Sequence, residues 1–368
     1  MNQNVFNDLK KLLIENIINA PVQSRLEILN NLHTLIAEAG LPDALLALYQ
    51  QQVKSGFVLI DYNSPQSLSH KEFYDPNTGI TFRVAWTPER EMRKDLTLLK
   101  ERGIIDGAVD EIRLINKDSS GKPCLLCPAN IELQNPREIL LELNLAGKKY
   151  YIGANFAPIS KNHFTIINAK HRPQYYHKMI LKALIDFVDL THGNFRSIFN
   201  GSAGSSNMSH EHLQATTEAF PIENIRIQDT DTIRITDQDL RVIRPKYYLP
   251  VILVEGAGKE AVADQADRLI RKWHTLDPLN HTENIICLKS ATREYRVFII
   301  LRDVRKLTAR GKKSGMAAFE AGGHLVLSYQ PDNLAPGEAD ERQTFETATL
   351  DMVKQFLMEI APEAQFVI

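Results

Sequence analysis

A short run near the middle of the chain carries the residue types best suited to chemistry: His210, His212 and Gln214. If this segment is extended, side chains two positions apart point to one face of the sheet, so two imidazoles and a carboxamide line up there. A neutral imidazole can bind a metal or act as a nucleophile. The spacing therefore predicts a functional site rather than a packed core.

A loop rich in small residues leads into this run and spans Gly201 to Asn207. Glycines and short polar side chains let backbone N–H groups and hydroxyls come close to a phosphate. A flexible connection of the same composition is the alternative interpretation. We predict that four residues of the loop contact phosphate: Gly204, Ser205, Ser206 and Asn207.

The pair Cys124 and Cys127 has the two-residue gap that lets two thiolates reach one tetrahedral zinc ion. A closed zinc site normally needs four ligands, and histidine is the usual companion of cysteine. The candidates are His163, His171 and His210. A redox dithiol and a pair of plain buried cysteines remain open at this point.

The chain also matches the letters of the zinc signature of nucleobase deaminases, with His70 and Glu72 ahead of the run from Pro123 to Cys127. That chemistry needs the glutamate on a helix beside the metal. Glu72 instead leads into a turn-forming stretch that ends at Gly79, which a helix does not cross. A metalloprotease would need a histidine where Gln214 stands. The sequence therefore argues against both zinc hydrolases.

The elements that must position these residues follow from the hydrophobic pattern. Residues 4–54 are predicted to be helical, because apolar residues recur at helical spacing and Gly40 ends the second pattern. Strands dominate from 55 to 170, with one charged helix near 88–102, and a helix near 175–190 precedes the glycine-rich loop. The pattern predicts an α+β fold with antiparallel sheets flanked by helices.

The order of elements predicts three parts of the chain. They are an N-terminal helical extension (1–55), a catalytic half that holds both motifs (56–220) and a second half that completes the substrate site (221–368). In the second half, strands are expected near 283–289, 295–301 and 323–328, and helices near 259–274 and 343–359. A basic stretch from Arg302 to Lys313 is predicted to be a solvated loop outside the site.

Composition excludes several classes of protein. The 368 residues are 43% hydrophobic and 24% charged, which is typical of a globular protein with a large core. No run approaches the roughly 20 apolar residues of a membrane-spanning helix, and the first residues lack the apolar stretch of a signal peptide. The formal net charge of -2 gives no reason to expect nucleic-acid binding. With only three cysteines, we expect a reduced, cytoplasmic protein.

Taken together, these motifs resemble the galactose-1-phosphate uridylyltransferase branch of the histidine-triad (HIT-like) superfamily, together with the related nucleoside-diphosphate-hexose and dinucleoside-tetraphosphate phosphorylases. The resemblance rests on the Cys-x-x-Cys pair, on Asn155 to Pro158, on His171 and on the run from Gly204 to Gln214. It covers about residues 57 to 330, and the N-terminal helices have no counterpart in it. It implies a HIT-like fold with two related halves.

The uridylyltransferase pattern implies one zinc ion held by four side chains: Cys124, Cys127, His171 and His210. A closed coordination sphere of this kind has a structural role, because it ties the catalytic strand and the glycine-rich loop to the distant loop near residue 120. His163 is the rival for the third position in this ligand set.

The same pattern places the nucleophile at His212, which would attack the α-phosphorus of a nucleotide and form a nucleotidyl-histidine. A backbone carbonyl is expected to hold its other ring nitrogen. Gln214 would donate its amide to a phosphate oxygen. Asn155 and Asn200 are predicted to be further substrate contacts. Because glutamine cannot act as an acid at neutral pH, we expect a leaving group that is stable as an anion, such as a sugar phosphate or a nucleotide.

These features predict a zinc-containing nucleotidyltransferase whose substrate is a nucleotide or a nucleotide sugar. Ser209 replaces a proline of the uridylyltransferases and Leu213 a common glycine, which moves the chain toward the phosphorylases. We favour phosphorolysis of a nucleoside diphosphate hexose over hexose-1-phosphate uridylyl exchange and over dinucleoside-tetraphosphate phosphorolysis. A nucleotide-binding protein without activity is the non-enzyme alternative. Neither nucleic acid nor a membrane is an expected partner, and a homodimer is compatible with the sequence.

Overall fold

A computed structural model of the chain describes residues 3–64, 69–94, 96–106, 116–117, 121, 123–228, 232–235, 239–292, 294–308, 315–329, 340–364 and 366. Within the predicted basic stretch, Arg310, Lys312 and Lys313 lie outside these residues. None of the helices in the described ranges is both long enough and apolar enough to cross a membrane.

The secondary structure alternates helices and strands after an all-helical start. The helices are α1 (Gln3–Asn19), α2 (Arg25–Ala39), α3 (Leu41–Lys54), α4 (Leu96–Glu101), α5 (Pro128–Gln134), α6 (Lys178–Leu190), α7 (Lys259–Leu276), α8 (Ala318–Ala321), α9 (Glu341–Glu346) and α10 (Leu350–Glu359). The strands are β1 (Ser69–Asp75), β2 (Ile80–Trp86), β3 (Leu141–Leu145), β4 (Lys148–Ala154), β5 (Phe164–Asn168), β6 (Arg196–Asn200), β7 (His212–Thr216), β8 (Thr232–Ile235), β9 (Leu240–Ile243), β10 (Val251–Gly256), β11 (His281–Lys289), β12 (Tyr295–Asp303) and β13 (His324–Leu327).

The N-terminal extension is the helical unit that the sequence predicts. Ile28 and Leu32 lie on one face of α2 and are fully buried. Gly40 joins α2 to α3 with a φ of 92°, a backbone angle that residues with a Cβ rarely adopt. In α3, the side chain of Gln52 accepts a hydrogen bond from the backbone N–H of Ile139 at 3.1 Å. The extension is thereby attached just ahead of β3.

Ten strands form one large sheet in the order β3-β4-β5-β7-β6-β11-β12-β10-β9-β8, and every neighbouring pair is antiparallel. A smaller sheet consists of β1, β2 and β13, in which β13 runs parallel to β2. The predicted class, α+β with antiparallel sheets flanked by helices, is confirmed.

The large sheet consists of two five-stranded units with the same topology. The first unit has the order β3-β4-β5-β7-β6, and the second has the order β8-β9-β10-β12-β11. Each unit has one long helix between its third and fourth strands, which is α6 in the first unit and α7 in the second. The units meet where β6 pairs with β11. The two related halves expected from the sequence are therefore visible in the strand order.

The two faces of the large sheet bury separate apolar cores. One core includes residues of the N-terminal helices, α6 and α7, and the other includes residues of the small sheet, α8 and α10. Leu213 and Ala215 of β7 belong to the first core. Because alternate side chains of a strand point to opposite faces, His212 and Gln214 point to the face that the small sheet and α8 cover.

Some predicted elements differ from the structure. Helix α6 begins at Lys178 rather than near residue 175, and the chain before it is held by a hydrogen bond from Gln174 N to Met208 O at 3.0 Å. The helix expected over 343–359 is two helices, α9 and α10, because Thr349 caps a new helix by accepting a hydrogen bond from Met352 N. The charged segment 88–102 forms a 3-10 turn, Pro88–Lys94, and the short α4.

Candidate active site and metal cluster

Of the three residues His210, His212 and Gln214, only the last two lie on a strand. β7 begins at His212, so His212 and Gln214 share its site-facing side, whereas His210 precedes the strand. The segment is therefore a strand only from His212 onward, and the shared face of an extended segment does not include His210. Its backbone turns away where Glu211 N donates to Arg172 O at 2.7 Å, and its ring points toward Cys124 and His171 instead.

His212 has the geometry of a nucleophile. Its Nδ1 lies 2.8 Å from the backbone oxygen of His210, which accepts the hydrogen bond, so Nδ1 carries the proton and Nε2 keeps its lone pair. The carbonyl contact expected from the sequence is therefore present. Burial lowers the pKa of His212, because the charged imidazolium is poorly solvated there. The ring is therefore neutral at neutral pH.

Gln174 holds the backbone of His212 from a neighbouring segment. Its Oε1 accepts from His212 N at 2.7 Å, and its Nε2 donates to His212 O at 2.9 Å and to Asn200 O at 3.0 Å. The side chain is fully buried. Gln174 thus fixes the first residue of β7 relative to the last residue of β6.

Cys124, His171 and His210 form a compact cluster of potential metal ligands, whose ligand atoms all lie within 4.8 Å of one another. Cys124 Sγ is 3.5 Å from His210 Nδ1, and the Nδ1 atoms of His171 and His210 are 3.2 Å apart. For zinc–ligand bonds of about 2.0 Å to nitrogen and 2.3 Å to sulfur, the edges of a tetrahedron are about 3.3 and 3.5 Å. The two distances from His210 therefore match the ligand spacing of a zinc site.

The protonation of His210 also suits a metal ligand. Its Nε2 lies 2.8 Å from the backbone oxygen of Asn168, so Nε2 is the donor and Nδ1 presents its lone pair to the cluster. Burial lowers the pKa of His210 to about 4, which keeps the ring neutral, and burial also raises the pKa of the Cys124 thiol.

Two other predicted ligands lie elsewhere. Cys127 is buried but does not belong to the cluster, and its Sγ accepts a hydrogen bond from Asn116 Nδ2 at 3.1 Å. His163, the rival ligand, is not in the cluster either. His70 and Glu72 lie on β1, and Glu72 pairs with Arg83 of β2, which agrees with the argument against a deaminase site.

Glu211, the residue between the two histidines, anchors this strand end from the opposite face. Its carboxylate accepts hydrogen bonds from Tyr150 Oη at 2.8 Å and Asn168 Nδ2 at 2.6 Å, and lies 2.8 Å from His177 Nε2. Burial alone would raise the pKa of Glu211, but the hydrogen bonds from His177, Asn168 and Tyr150 outweigh it and hold the pKa below its usual value. The carboxylate is therefore charged and fully engaged.

The glycine-rich loop packs closely against the second half of the molecule. Gly204 has a φ of 111°, and a Cβ there would lie 2.7 Å from Cα of Ala317, so only glycine fits without a shift. At Gly201 a Cβ would meet Thr282 Oγ1, which itself accepts from Ser202 N at 3.0 Å. Small residues in this loop thus allow a close approach of two backbones.

The remaining loop residues make contacts within the loop and with the metal cluster. Ser205 Oγ donates to Asn207 O at 3.1 Å, and Asn207 Oδ1 accepts from Ser209 N at 2.9 Å. An interaction with the Asn207 side chain lowers the pKa of the Cys124 thiol, against the larger raising effect of burial. Ser206 is exposed. The loop therefore connects the metal cluster to the start of β7.

A buried hydrogen-bond chain reaches the loop from the second half. Arg302 Nη1 donates to Asn284 Oδ1 at 2.6 Å, and Asn284 Nδ2 donates to Asn200 Oδ1 at 3.0 Å and to Ala203 O at 2.8 Å. Asn200 Oδ1 also accepts from Ala318 N, so the amide group of Asn200 is left to donate. Arg302 is fully buried in β12, which corrects the prediction that it lies in a solvated loop.

Two further predicted substrate contacts, Asn155 and Gln214, lie next to Thr165 of β5. Asn155 directly follows β4, and its carboxamide donates to Thr165 Oγ1 at 3.1 Å and accepts from Ala157 N at 3.0 Å. Gln214 is partly exposed and lies opposite Thr165 across the β5–β7 pair. Asn155 at the end of β4 and Gln214 on β7 thus lie on either side of β5 in the same unit.

Sequence reasoning missed four buried residues that support the site: Gln174, Glu211, Asn284 and Arg302. Only the role of Glu211 could have been found from the sequence. Side chains alternate along a strand, so a charged residue next to His212 must face the opposite side and needs hydrogen-bond partners there. Gln174 and Asn284 gave no such signal, since their partners are backbone groups and side chains distant in sequence.

The chain is similar to several known proteins. Residues 108–217 match a family described as domain of unknown function DUF4922. Galactose-1-phosphate uridylyltransferase from Halalkalibacterium halodurans is 23% identical over 288 residues, which are 71% of this chain and 55% of the relative. Galactose-1-phosphate uridylyltransferase 1 from Streptococcus pneumoniae is 26% identical over 205 residues, 49% of this chain and 40% of the relative. The chain thus spans about half the length of these curated relatives.

Yeast Ap4A phosphorylase in complex with AMP superimposes with a TM-score of 0.55 at 12% identity, over 86% of this chain and 94% of that chain. The fold is HIT-like. The resemblance to the galactose-1-phosphate uridylyltransferase and phosphorylase branch of the HIT-like superfamily, inferred from the motifs, is confirmed. In this chain, His212 and Gln214 lie on β7, next to β6, the strand at which the two halves of the large sheet meet, and His210 lies just before β7.

Proposed function

We propose that the chain is a nucleotidyltransferase that works through a covalent nucleotidyl-His212, and that its reaction is phosphorolysis of a nucleoside diphosphate hexose. The observation that carries this proposal is the ring orientation of His212, with Nδ1 bonded to a carbonyl and Nε2 holding a lone pair. A neutral, oriented imidazole is the group that attack on phosphorus requires.

The reaction takes place in two displacements. First, His212 Nε2 forms a bond to the α-phosphorus of the nucleotide sugar, the bond to the bridging oxygen breaks, and hexose 1-phosphate leaves as an anion. Then an oxygen of inorganic phosphate forms a bond to the same phosphorus, the nitrogen–phosphorus bond breaks, and a nucleoside diphosphate is released. Gln214 donates its amide to a non-bridging oxygen while negative charge builds up.

We propose one zinc ion at the cluster of Cys124, His171 and His210. Cys127, the fourth ligand expected from the sequence, lies outside this cluster. When bound, the ion would crosslink the loop that carries Cys124 to His171 and to the segment that leads into β7. His210 then has two roles on this chain, since its ring faces the cluster while its carbonyl orients His212.

A second candidate reaction is phosphorolysis of a dinucleoside tetraphosphate. The fold likeness to yeast Ap4A phosphorylase over most of both chains supports it. Uridylyl exchange between hexose 1-phosphates is supported by the names of the curated relatives. All three reactions share the His212 intermediate and differ in leaving group and acceptor. We expect the protein to act on small nucleotides, as a cytoplasmic protein and in a form compatible with a homodimer.

An activity assay with different substrates and acceptors distinguishes these three reactions. Purified protein is incubated with UDP-glucose, GDP-mannose or diadenosine tetraphosphate, each with either inorganic phosphate or galactose 1-phosphate. We expect phosphate-dependent release of a nucleoside diphosphate from a nucleotide sugar, and loss of this release in His212→Ala. Turnover of diadenosine tetraphosphate alone would favour the second candidate. Binding of nucleotides without any turnover would contradict the proposal and favour a nucleotide-binding protein without activity.

A further inference from the structure

His163 lies beneath Gln214 rather than at the metal cluster. It directly precedes β5, in which Thr165 pairs with Gln214 of β7. Residues two apart on an extended chain share a face, so the side chains of His163 and Gln214 lie on the same side of the sheet as diagonal neighbours. His163 is 1% exposed.

The protonation of His163 is set by its surroundings. Its Nδ1 lies 3.3 Å from the backbone nitrogen of Ile159, which can only donate, so Nδ1 is the acceptor. Burial lowers the pKa of His163 to about 3, so the ring is neutral and carries its single proton on Nε2. The ring is held edge to face against Phe319 of α8, with centroids 5.6 Å apart.

Two buried polar atoms on this side of β5 and β7 complement each other. His163 Nε2 and Gln214 Oε1 are both inaccessible to solvent, and neither has a hydrogen-bond partner among the residues that the structure describes. An interaction with the Gln214 side chain raises the pKa of His163, against the larger lowering by burial. A buried donor and a buried acceptor, both without a partner, therefore lie on the same side of two neighbouring strands.

We propose that His163 is a positioning residue for Gln214: its Nε2–H donates to Gln214 Oε1 and so turns the amide nitrogen of Gln214 toward the bound phosphate. A carboxamide has two orientations that differ only in which end is the donor. The flipped orientation would place the amide N–H₂ against the Nε2–H of His163, donor against donor, and would leave both groups buried without an acceptor. His163 thereby selects the orientation that can stabilise an anion.

This inference deepens the proposed function and rests on it for the role of Gln214. It does not depend on the metal, since His163 is not in the metal cluster. It also means that α8 contributes to the site, because Phe319 of α8 packs against the imidazole of His163.

A double-mutant cycle tests the proposal. In His163→Phe, an aromatic ring is kept but the donor is lost, and we expect kcat for nucleotidyl transfer to fall on the order of ten- to one hundred-fold with little change in KM. In His163→Gln, which keeps an N–H donor, part of kcat returns. In a Gln214→Ala background, His163→Phe has no further effect on kcat. Equal losses from His163→Phe in both backgrounds would overturn the proposal.

A spectroscopic measurement tests the contact without relying on activity. The Nε2–H proton of His163 in the full-length protein is expected to give a resonance that exchanges slowly with water. Gln214→Ala, which leaves the buried imidazole intact, should move this resonance upfield and speed its exchange, whereas an unchanged resonance would overturn the contact. If the wild-type protein transfers no nucleotide, the proposed function fails, and this resonance still decides whether His163 positions Gln214.

Discussion

The two five-stranded units of the large sheet share one strand order but differ in the connection between β6 and β7 in the first unit and β11 and β12 in the second. In the first unit, β6 and β7 are joined by residues 201–211, which hold the glycine-rich loop and His210. In the second unit, β11 and β12 are joined by residues 290–294, where Ser290 N donates a hydrogen bond to Glu294 O at 2.8 Å. The same sheet therefore carries the proposed active site in one half and a short connection in the other.

The strands that follow these connections differ in the same way. The first unit continues into β7 with His212 and Gln214 on its site face, whereas β12 runs through a series of buried apolar residues from Val297 to Leu301. Near its end, β12 places a buried polar side chain, Arg302, which donates hydrogen bonds to Asn284 Oδ1 and Met316 O behind the glycine-rich loop. If the proposed function holds, the first unit's connection positions the reacting groups, and the second unit supports that connection through Arg302 and Asn284.

The strongest test of this comparison removes the metal cluster, which exists only beside the first unit's connection among the described residues. In Cys124→Ala, we expect bound zinc to fall from about one ion per chain to none and the free energy of unfolding to fall by more than about 4 kcal/mol. Metal analysis and chemical denaturation measure both. Cys287→Ala, at a buried thiol in β11, should keep its zinc. A Cys124→Ala protein with full metal content would refute the cluster.

The next test concerns Gln174, which joins β6 to β7. In Gln174→Leu, three backbone groups lose their buried partner, so we expect the free energy of unfolding to fall by about 2 to 4 kcal/mol, with a matching loss of kcat. The matched change at the second unit's connection is Ser290→Ala, which should cost about 0.5 kcal/mol and leave kcat unchanged. If both variants had equal effects on stability and kcat, the two connections would not differ in the way that the comparison predicts.

The third test uses pH at the outer end of the first unit, where Glu138 precedes β3 and its carbonyl accepts from Arg25 of the N-terminal extension at 2.8 Å. Burial raises the pKa of Glu138 from 4.5 to about 7. The unfolded chain therefore loses this proton as the pH rises through about 4.5, while the folded protein keeps it until about pH 7, so stability falls over this window and then stays level.

Glu138→Gln abolishes this dependence. We expect the variant and the wild type to have similar stability near pH 4.5, and the variant to be more stable by about 3 kcal/mol above pH 7. Urea denaturation at a series of pH values measures the difference. Glu132→Gln, at an exposed position of α5, is the control and should show no such trend. A difference that grows toward acid pH would contradict the assignment.

The smallest expected effect concerns the bracing by the second unit. Arg302→Met removes a fully buried guanidinium whose Nε and Nη2 have no hydrogen-bond partner among the described residues, so stability should change by less than about 1 kcal/mol. Because Asn284 and then Asn200 lose their fixed orientation, nucleotide affinity should fall about tenfold. Calorimetric titration with UDP measures it, and Arg305→Met, whose side chain is 59% exposed, is the control. An unchanged affinity in Arg302→Met would mean that the second unit does not brace the site.

Sequence patterns sufficed for the parts of the site that depend on local spacing. The alternation of His212 and Gln214 follows from the two-residue period of a strand. For the glycine-rich loop the sequence predicts contact with phosphate, which stays a prediction, and it did not reveal the close packing of Gly201 and Gly204 against the second half. The helical spacing of the first 54 residues was equally sufficient for the N-terminal extension.

The sequence does not reveal the parts of the site that depend on contacts between residues distant in the chain. Whether His210 belongs to the strand depends on Arg172, whose carbonyl binds Glu211 N across the loop. The burial of Arg302 depends on α8 and on Asn284, although the charges that follow it in sequence suggested a solvated loop. Cys127 and His163 also lie where no spacing rule placed them, one outside the metal cluster and the other under Gln214.

The central claim is that the first unit's connection presents His212 as the nucleophile. Protein is mixed with a nucleotide sugar labelled at the α-phosphorus, without an acceptor, and the label is located by peptide mapping after alkaline quenching. The account predicts an acid-labile, base-stable nucleotidyl group on the peptide that contains His212, present in the exposed-site control His33→Ala and absent from His212→Ala. An adduct on any other residue, or turnover that persists in His212→Ala, would contradict it.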